Sequence, residues 1–265
     1  MRIALCFSGH MRTYEKTYAA WKRYVIDPLQ PDIFIDTWNT IGTFVNKDAI
    51  TGNGGVHKKT LVTEPGTVML NSHPINQEEI IKRYNPVGFN VEIFEELMPI
   101  FIESVRPIVE WRDSSPPNAW RHMPLGTYSQ LYKWWKCNQQ KQNYETTKGF
   151  KYDLVIRSRT DLMLEDNITH IIQMALTEPT KIYVPVRDDP MAVRDVIFVG
   201  SSKNIDILCN MYTHYHTLFE MFKSADDADG FCGQHKAIAY YLMHMDVLWQ
   251  DIVFPIRRWN HCLIR

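Results

Sequence analysis

Residues 152–164 read YDLVIRSRTDLML, an apolar segment that runs directly into Arg157, Arg159 and Asp161. Side chains of an extended segment alternate with period two, so this spacing puts two guanidiniums and a carboxylate on one face where a buried strand ends. Arg holds phosphate bidentately, and Asp is a hard oxygen ligand for Mg²⁺ or Mn²⁺. The segment therefore reads as a site for a polyanion, with or without a metal. The same residues also suit a solvated strand end closed by an internal Arg–Asp pair, because charge clusters are built for structural reasons too.

A strand of this kind needs neighbours, and the rest of the chain alternates strand and helix signals in the manner of an α/β protein. Ile3 to Phe7 is a short apolar strand, Ser8-Gly9-His10 a turn, Thr13 to Tyr24 a helix, and Asp32 to Thr37 a second strand, which together make a βαβ unit. Asn39 to Pro74, with GNGG at 52–55, reads either as an insertion over the active face that closes as a lid or as a surface excursion with no role. Asn76 caps a helix over QEEIIKRY, and Val87 to Phe94 is a further strand. Ser114 to Pro117 breaks the chain, and Tyr128 to about Thr146 is a long helix leading into the central strand. Beyond it come a helix near 168–176, strands at 182–186 and 196–199, a helix over 202–222, an acidic loop (ADDADG) and a helix around 237–245.

At 265 residues with 45% hydrophobic content the chain can bury a large core. Its formal net charge of -1 provides no global field for nucleic acid or anionic membrane, so local clusters must do any anion binding. Five cysteines, odd in number and without CxxC spacing, argue against a disulfide framework or zinc site and for a reducing compartment. No segment approaches the roughly 18 uninterrupted apolar residues of a membrane span, and the first residues are too short for a signal region. The expectation is a soluble, cytoplasmic protein.

Two further features bear on chemistry. In CFSGHMR a strand ends at Ser8-Gly9 just before a helix, which sets backbone N–H groups, a hydroxyl and Arg12 near a helix N-terminus, where a phosphate can be held. A tight connection with no ligand is the plain alternative. Ligands of open α/β sheets bind beyond the carboxyl ends of strands, so this turn and the Asp161 strand end can face one crevice. In the long helix, Gln130, Lys133, Lys136 or Cys137, and Gln140 recur at helical spacing as a polar, basic stripe, which reads either as a solvent face or as part of the site. Trp134 and Trp135 read as core. Neither GxGxxG nor GxxxxGK[ST] is present, which disfavours a dinucleotide-binding domain and a P-loop ATPase.

CFSGHMRTYEKTYAAWKRYVIDPLQPDIFIDTW, then GFKYDLVIRSRTDLML, then RDVIFVGSS, resembles in order a group of glycosyltransferases of bacteria and large DNA viruses, over residues 3 to about 245. The resemblance implies a GT-A-like fold: a nucleotide-binding α/β sandwich with a mostly parallel central sheet flanked by helices, formed here as one domain over 1–265. Residues to about 165 would hold the donor and 166–265 would face the acceptor. It implies transfer of a sugar from a nucleotide-diphosphate donor to a glycan or other hydroxyl acceptor. Carried over by the motif, Ser8, Gly9, Arg12 and Asp36 would lie at the donor, with Thr37 and Trp38 lining the pocket; Asp36 is equally a turn or cap residue. Arg157, Arg159 and Asp161 of the strand end and Lys133 of the helix stripe join them as donor-binding candidates.

The family's Asp-x-Asp metal motif reads Arg159-Thr160-Asp161 here, so one carboxylate remains. Either Asp161 holds Mn²⁺ or Mg²⁺ with diphosphate oxygens and water, or the arginines neutralise the leaving diphosphate themselves. An inverting enzyme needs a carboxylate base, for which Asp195 and Asp229 are the candidates and Asp226 and Asp227 the next; a retaining enzyme does not. Two other readings remain: a non-catalytic nucleotide- or carbohydrate-binding module, and another nucleotide-donor transferase such as a sulfotransferase.

Overall fold

The computed structural model describes residues 1–42, 50–51, 55–56, 73–114, 124–165, 168–185, 193–224, 234–245, 252–256 and 261–263. Strand β1 (Ile3–Ser8) leads through a turn to helix α1 (Tyr14–Trp21), which runs on through a π turn over Lys22–Ile26 before β2 (Asp32–Trp38). The two-residue strands β3 (Ile50–Thr51) and β4 (Gly55–Val56) pair with each other. Then follow α2 (Gln77–Tyr84), β5 (Gly88–Glu92), α3 (Phe94–Ser114), α4 (Pro124–Lys148), β6 (Leu154–Ser158), β7 (Leu162–Leu164), α5 (Ile168–Thr177) and β8 (Ile182–Pro185). The described chain closes with β9 (Ile197–Gly200), α6 (Ser202–Cys209), α7 (Met211–Ser224), α8 (Gln234–His244), β10 (Ile252–Ile256) and β11 (His261–Leu263).

Seven strands form one sheet in the order β10-β8-β9-β6-β1-β2-β5. Every neighbouring pair is parallel except the two made by β9, which is antiparallel to β6 and β8. The expected mostly parallel α/β sheet flanked by helices is therefore present, and strands from both sides of residue 165 contribute to it. Helices cover both faces, as a parallel sheet requires. Along β1, Ala4 and Cys6 enter one core with Trp134, Val155 and Phe198, while Ile3, Leu5 and Phe7 enter the other with Trp21, Ile156 and Ile172. The period-two alternation of a strand thus feeds two cores at once. Among the described residues no helix is long and apolar enough to cross a membrane, and Cys6, Cys137 and Cys209 are buried free thiols.

Register aligns the carboxyl ends. Ser8 pairs with Asp36, Asp36 with Asn90, Phe7 with Ser158, and Ser158 with Ile197. A polar line consequently crosses the sheet at the edge where the α/β rule places ligands.

Two segments differ from the sequence reading. The strand expected to extend as far as Asp161 stops at Ser158. Arg159 folds back on Asp161 there, and the Thr160 hydroxyl donates to the Met11 carbonyl at 2.9 Å, so the chain turns before resuming as β7, which pairs with β11. The helix expected over 202–222 is two helices broken at Asn210, whose backbone oxygen and Oδ1 both accept from the Thr213 hydroxyl. The Asn210 N–H still bonds back to the Asp206 carbonyl at 3.0 Å, and its own carbonyl accepts from the Thr213 N–H at 3.0 Å to open the second helix. Helix α3 carries Pro99 and Pro107 and was not anticipated. Most of the proposed lid, 43–49, 52–54 and 57–72, lies outside the described residues.

Candidate functional site

Three strand ends and two helices supply the site. At the end of β1, Gly9 has φ of 101°, a conformation open to glycine and costly for other residues, and its N–H bonds to the Asp36 carbonyl at 3.0 Å. Arg12 also lies in the left-handed region, with φ of 43°, and its N–H bonds to the Ile41 carbonyl at 2.8 Å. A non-glycine residue there costs roughly 1–2 kcal/mol, and such strain persists where the surroundings fix it. The strain delivers the Arg12 guanidinium to Asp161, NH1 to Oδ2 at 3.2 Å.

From the end of β6, Arg159 grips the same carboxylate side-on, Nε to Oδ1 at 2.9 Å and NH2 to Oδ2 at 2.7 Å. Burial pushes the Asp161 carboxyl up, but the bonds and charge of Arg159, joined by Arg12, outweigh it and hold the group below the usual carboxylate range. Asp161 is itself sealed, whereas the Arg12 and Arg159 side chains keep 24% and 16% of their surface. The arginines are therefore the exposed partners of this triad.

Asp195, just before β9, adjoins them. Its Oδ2 accepts from Gln130 Nε2 of α4 at 2.7 Å and lies 4.0 Å from Arg159 NH1; its Oδ1 meets His235 Nε2, at the start of α8, at 3.1 Å. Burial raises the Asp195 pKa, but His235, Arg159 and Gln130 together drive it far below normal. Sequence reasoning missed His235. The available signal was weak: a lone imidazole in the first turn of a helix, forty residues from its carboxylate. Asp226, Asp227 and Asp229 lie outside the described residues.

Several expected donor contacts sit beneath this surface. Arg157 is 1% exposed; it stacks on Trp134, 3.9 Å from guanidinium carbon to ring centroid, donates through NH1 to the Asp195 carbonyl at 2.7 Å, and reaches Ser8 Oγ from Nε at 3.2 Å and NH2 at 3.1 Å. Burial lowers its pKa to about 10. Arg157, Arg159 and Asp161 therefore do not share one face: the turn after Ser158 separates the first from the other two. The polar stripe of α4 likewise faces the sheet and not solvent. Lys133 Nζ is fully buried between Asp36 Oδ1 at 2.7 Å and Glu92 Oε2 at 2.6 Å, 4.0 Å above the Trp38 ring centroid.

Asp36 Oδ2 accepts from Asn90 and Gln140, at 2.9 and 2.8 Å, and Tyr132 donates to Glu92 at 2.8 Å. Burial raises the Asp36 pKa, partly offset by Lys133 and Asn90; the Glu92 carboxyl, lifted by burial, is brought below normal by Lys133 and Tyr132. Lys133 and Asp36, expected as donor contacts, thus neutralise each other under the strand ends. Thr37 and Trp38 are buried with them and do not line an open pocket.

His10 closes the floor on the other side. Its Nδ1 lies 3.1 Å from the Thr40 carbonyl, and Gly42 passes so near that a Cβ there would sit 2.2 Å from the ring. Burial depresses its pKa to about 4 despite the Thr40 carbonyl, with Arg12, Lys133 and Arg159 pushing the same way. The roots of the insertion close over this turn: Ile41 N bonds to the His73 carbonyl at 2.8 Å, and Ile75 N to the Asn39 carbonyl at 3.0 Å.

No family model and no curated protein matches the chain. Among solved structures, mouse xyloside xylosyltransferase 1 in its apo form is similar, over 96% of this chain and 84% of that one, at 9% identity and a TM-score of 0.40. At that divergence the likeness carries no weight in assigning chemistry.

Proposed function

We propose that the chain is a glycosyltransferase of GT-A-like layout that takes a nucleotide-diphosphate sugar at the carboxyl edge of its parallel strands and transfers the sugar to a hydroxyl acceptor. One observation carries this reading. Arg12 and Arg159, from two neighbouring strand ends, converge on a single sealed carboxylate and are themselves part-exposed. Breaking the anomeric bond releases a diphosphate, and preorganised guanidiniums at the leaving group stabilise that charge as it develops. Arg12 and Arg159 serve this role, and Asp161 holds both in place. Asp195 and His235 stand beside Arg159 as the pair that handles the acceptor proton. Asp195 alone, low in pKa and committed at both oxygens, is a poor base.

The divalent cation implied by the Asp-x-Asp resemblance does not fit here. Both Asp161 oxygens accept from guanidiniums, the carboxylate is sealed, and two positive charges flank it. Among the described residues no three His, Cys, Asp or Glu side chains converge as ligands. The arginines take the electrostatic role, and no step runs through a metal.

The test is release of nucleoside diphosphate from a panel of nucleotide sugars, with thermal shifts in parallel. A donor at a hundred times its Kd should stabilise the protein by about 2.7 kcal/mol. Turnover of one donor, undiminished by EDTA and lost in Arg159→Ala, is expected. Stabilisation without turnover would identify a binding module, and no response to any nucleotide sugar would overturn the reading.

A further inference from the structure

Ser8 is 4% exposed, and its Oγ is chelated by the edge of one guanidinium, through Arg157 Nε and NH2. Arg157 cannot turn away: Trp134 covers one face, and the Asp195 carbonyl fixes NH1. A guanidinium only donates, and a hydroxyl oxygen has two lone pairs and one proton. With both lone pairs turned to Arg157, the hydroxyl has only its O–H left to offer. Among the described residues no acceptor receives that proton. The next residue is Gly9, whose missing Cβ would meet nothing within 4 Å, so there is open space beside the turn that directly follows Ser8. Arg157 also brings a buried positive charge whose direct acceptors are a hydroxyl and a carbonyl, beside Arg12 and Arg159. At this edge Arg12 and Arg159 are met by the carboxylates of Asp161 and Asp195, and Lys133 by those of Asp36 and Glu92.

We infer that Ser8 is an obligate donor to an acceptor-only oxygen of the ligand, a phosphoryl oxygen of the nucleoside diphosphate, and that Arg157 is the positioning residue that fixes the direction of this bond. The inference rests on the nucleotide-donor reading for the ligand's identity. It makes the β1 end selective: a phosphoryl oxygen is welcomed there, and a ligand amine or ammonium is refused because Ser8 has no lone pair to give it. It also explains why a cation is buried without a carboxylate in contact, a costly arrangement for stability alone.

The experiment is calorimetric titration of wild type, Ser8→Ala, Ser8→Thr, Arg157→Met and the Ser8→Ala/Arg157→Met double variant with nucleoside diphosphates, inorganic pyrophosphate and the unphosphorylated nucleosides. Ser8→Ala should weaken nucleoside diphosphate and pyrophosphate by about 10-fold or more, the size of a hydrogen bond to a charged group. Ser8→Thr should retain most of the affinity. If Arg157 acts through Ser8, the double variant binds no more weakly than the worse single one, as expected for residues acting as a unit; independent, additive losses would overturn the positioning role. Arg157→Met should fold, because it replaces a buried unpaired cation with an apolar chain. Unchanged affinity in Ser8→Ala with normal binding by wild type would overturn the inference and leave the donor reading standing. A loss confined to the nucleosides would overturn the phosphoryl assignment. Absence of binding by wild type to every nucleoside diphosphate and to pyrophosphate would overturn both.

Discussion

Lys133 and Lys141 lie on the same helix eight positions apart, both fully buried, each between two carboxylates, yet they serve opposite ends of the sheet. Lys133 sits at the carboxyl edge with Asp36 and Glu92. Lys141 sits at the other edge with Glu145 at 3.2 Å and Asp206 at 2.9 Å. There Glu145 is completed by the Ser202 hydroxyl, the Tyr152 N–H and a second cation, Lys151 at 2.8 Å. This second knot ties α4 to the start of β6 and to α6, and among the described residues no arginine cluster adjoins it. The pairing of the two teaches that a buried lysine between acids is no mark of function by itself. What distinguishes the carboxyl edge is the layer above its knot, in which part-exposed Arg12, Arg159 and His235 gather around the carboxylates of Asp161 and Asp195.

The largest expected effect breaks the symmetry of the knots. Lys133→Met strands Asp36 with only the amides of Asn90 and Gln140 and should cost about 3–5 kcal/mol in urea unfolding, the range for one partner lost from a buried pair. Lys141→Met should cost less, because Lys151 still faces Glu145, and should leave turnover per folded molecule unchanged. Equal losses, or a larger one at Lys141, would show that the knots are not distinguished as described. Next, Arg159→Ala should reduce donor turnover about 10²–10³-fold, as loss of a preorganised donor does, with a smaller stability change than either lysine variant. An Arg159→Ala variant of normal rate would remove the contrast between the upper layer and the knot below it.

The His10 imidazole gives the carboxyl edge a pH signature that the other knot lacks. Its folded pKa of about 4 lies below the unfolded value, so between pH 6.5 and 4 the unfolded chain binds the extra proton. Stability should fall as pH drops through that window, by up to about 3 kcal/mol, and level off below it. His10→Gln should flatten this limb in unfolding curves taken from pH 7 to 4; an unaltered curve would mean that other groups produce it. The smallest effect concerns backbone strain. Arg12→Gly relieves a left-handed arginine and should change stability by only about 1 kcal/mol or less in either direction, because glycine gives back chain entropy. Donor turnover should nevertheless drop sharply. A variant that keeps turnover would show that the left-handed turn is not there to aim a guanidinium.

Much of the framework was legible in advance because it follows from local geometry. Apolar runs at 3–7 and 154–156 mark strands buried on both faces, and Asn76 marks a helix start, where its side chain does accept the Glu79 N–H at 3.1 Å. The alternation around Arg157 implied one shared face, and the structure gives these residues a different disposition. A period-two argument assumes that the strand continues, and contacts of Thr160 with His10 and Met11, 150 and 149 positions away, end it. The α4 stripe was visible at helical spacing, but its direction was not: a polar face can meet solvent or a row of strand ends, and only the sheet decides which.

The sequence by itself determined the alternation of strands and helices, the polar turn after β1 and the charged end of β6, because backbone periodicity and the chemistry of single residues are local properties. Tertiary structure alone decided that Arg157 is a buried support while Arg159 is part-exposed, that Lys133 is neutralised by Asp36 and Glu92, and that His235 meets Asp195. The reason is physical: the state of a charge depends on what lies within a few ångströms of it, and in a parallel sheet those neighbours come from strand ends and helices far apart in the chain.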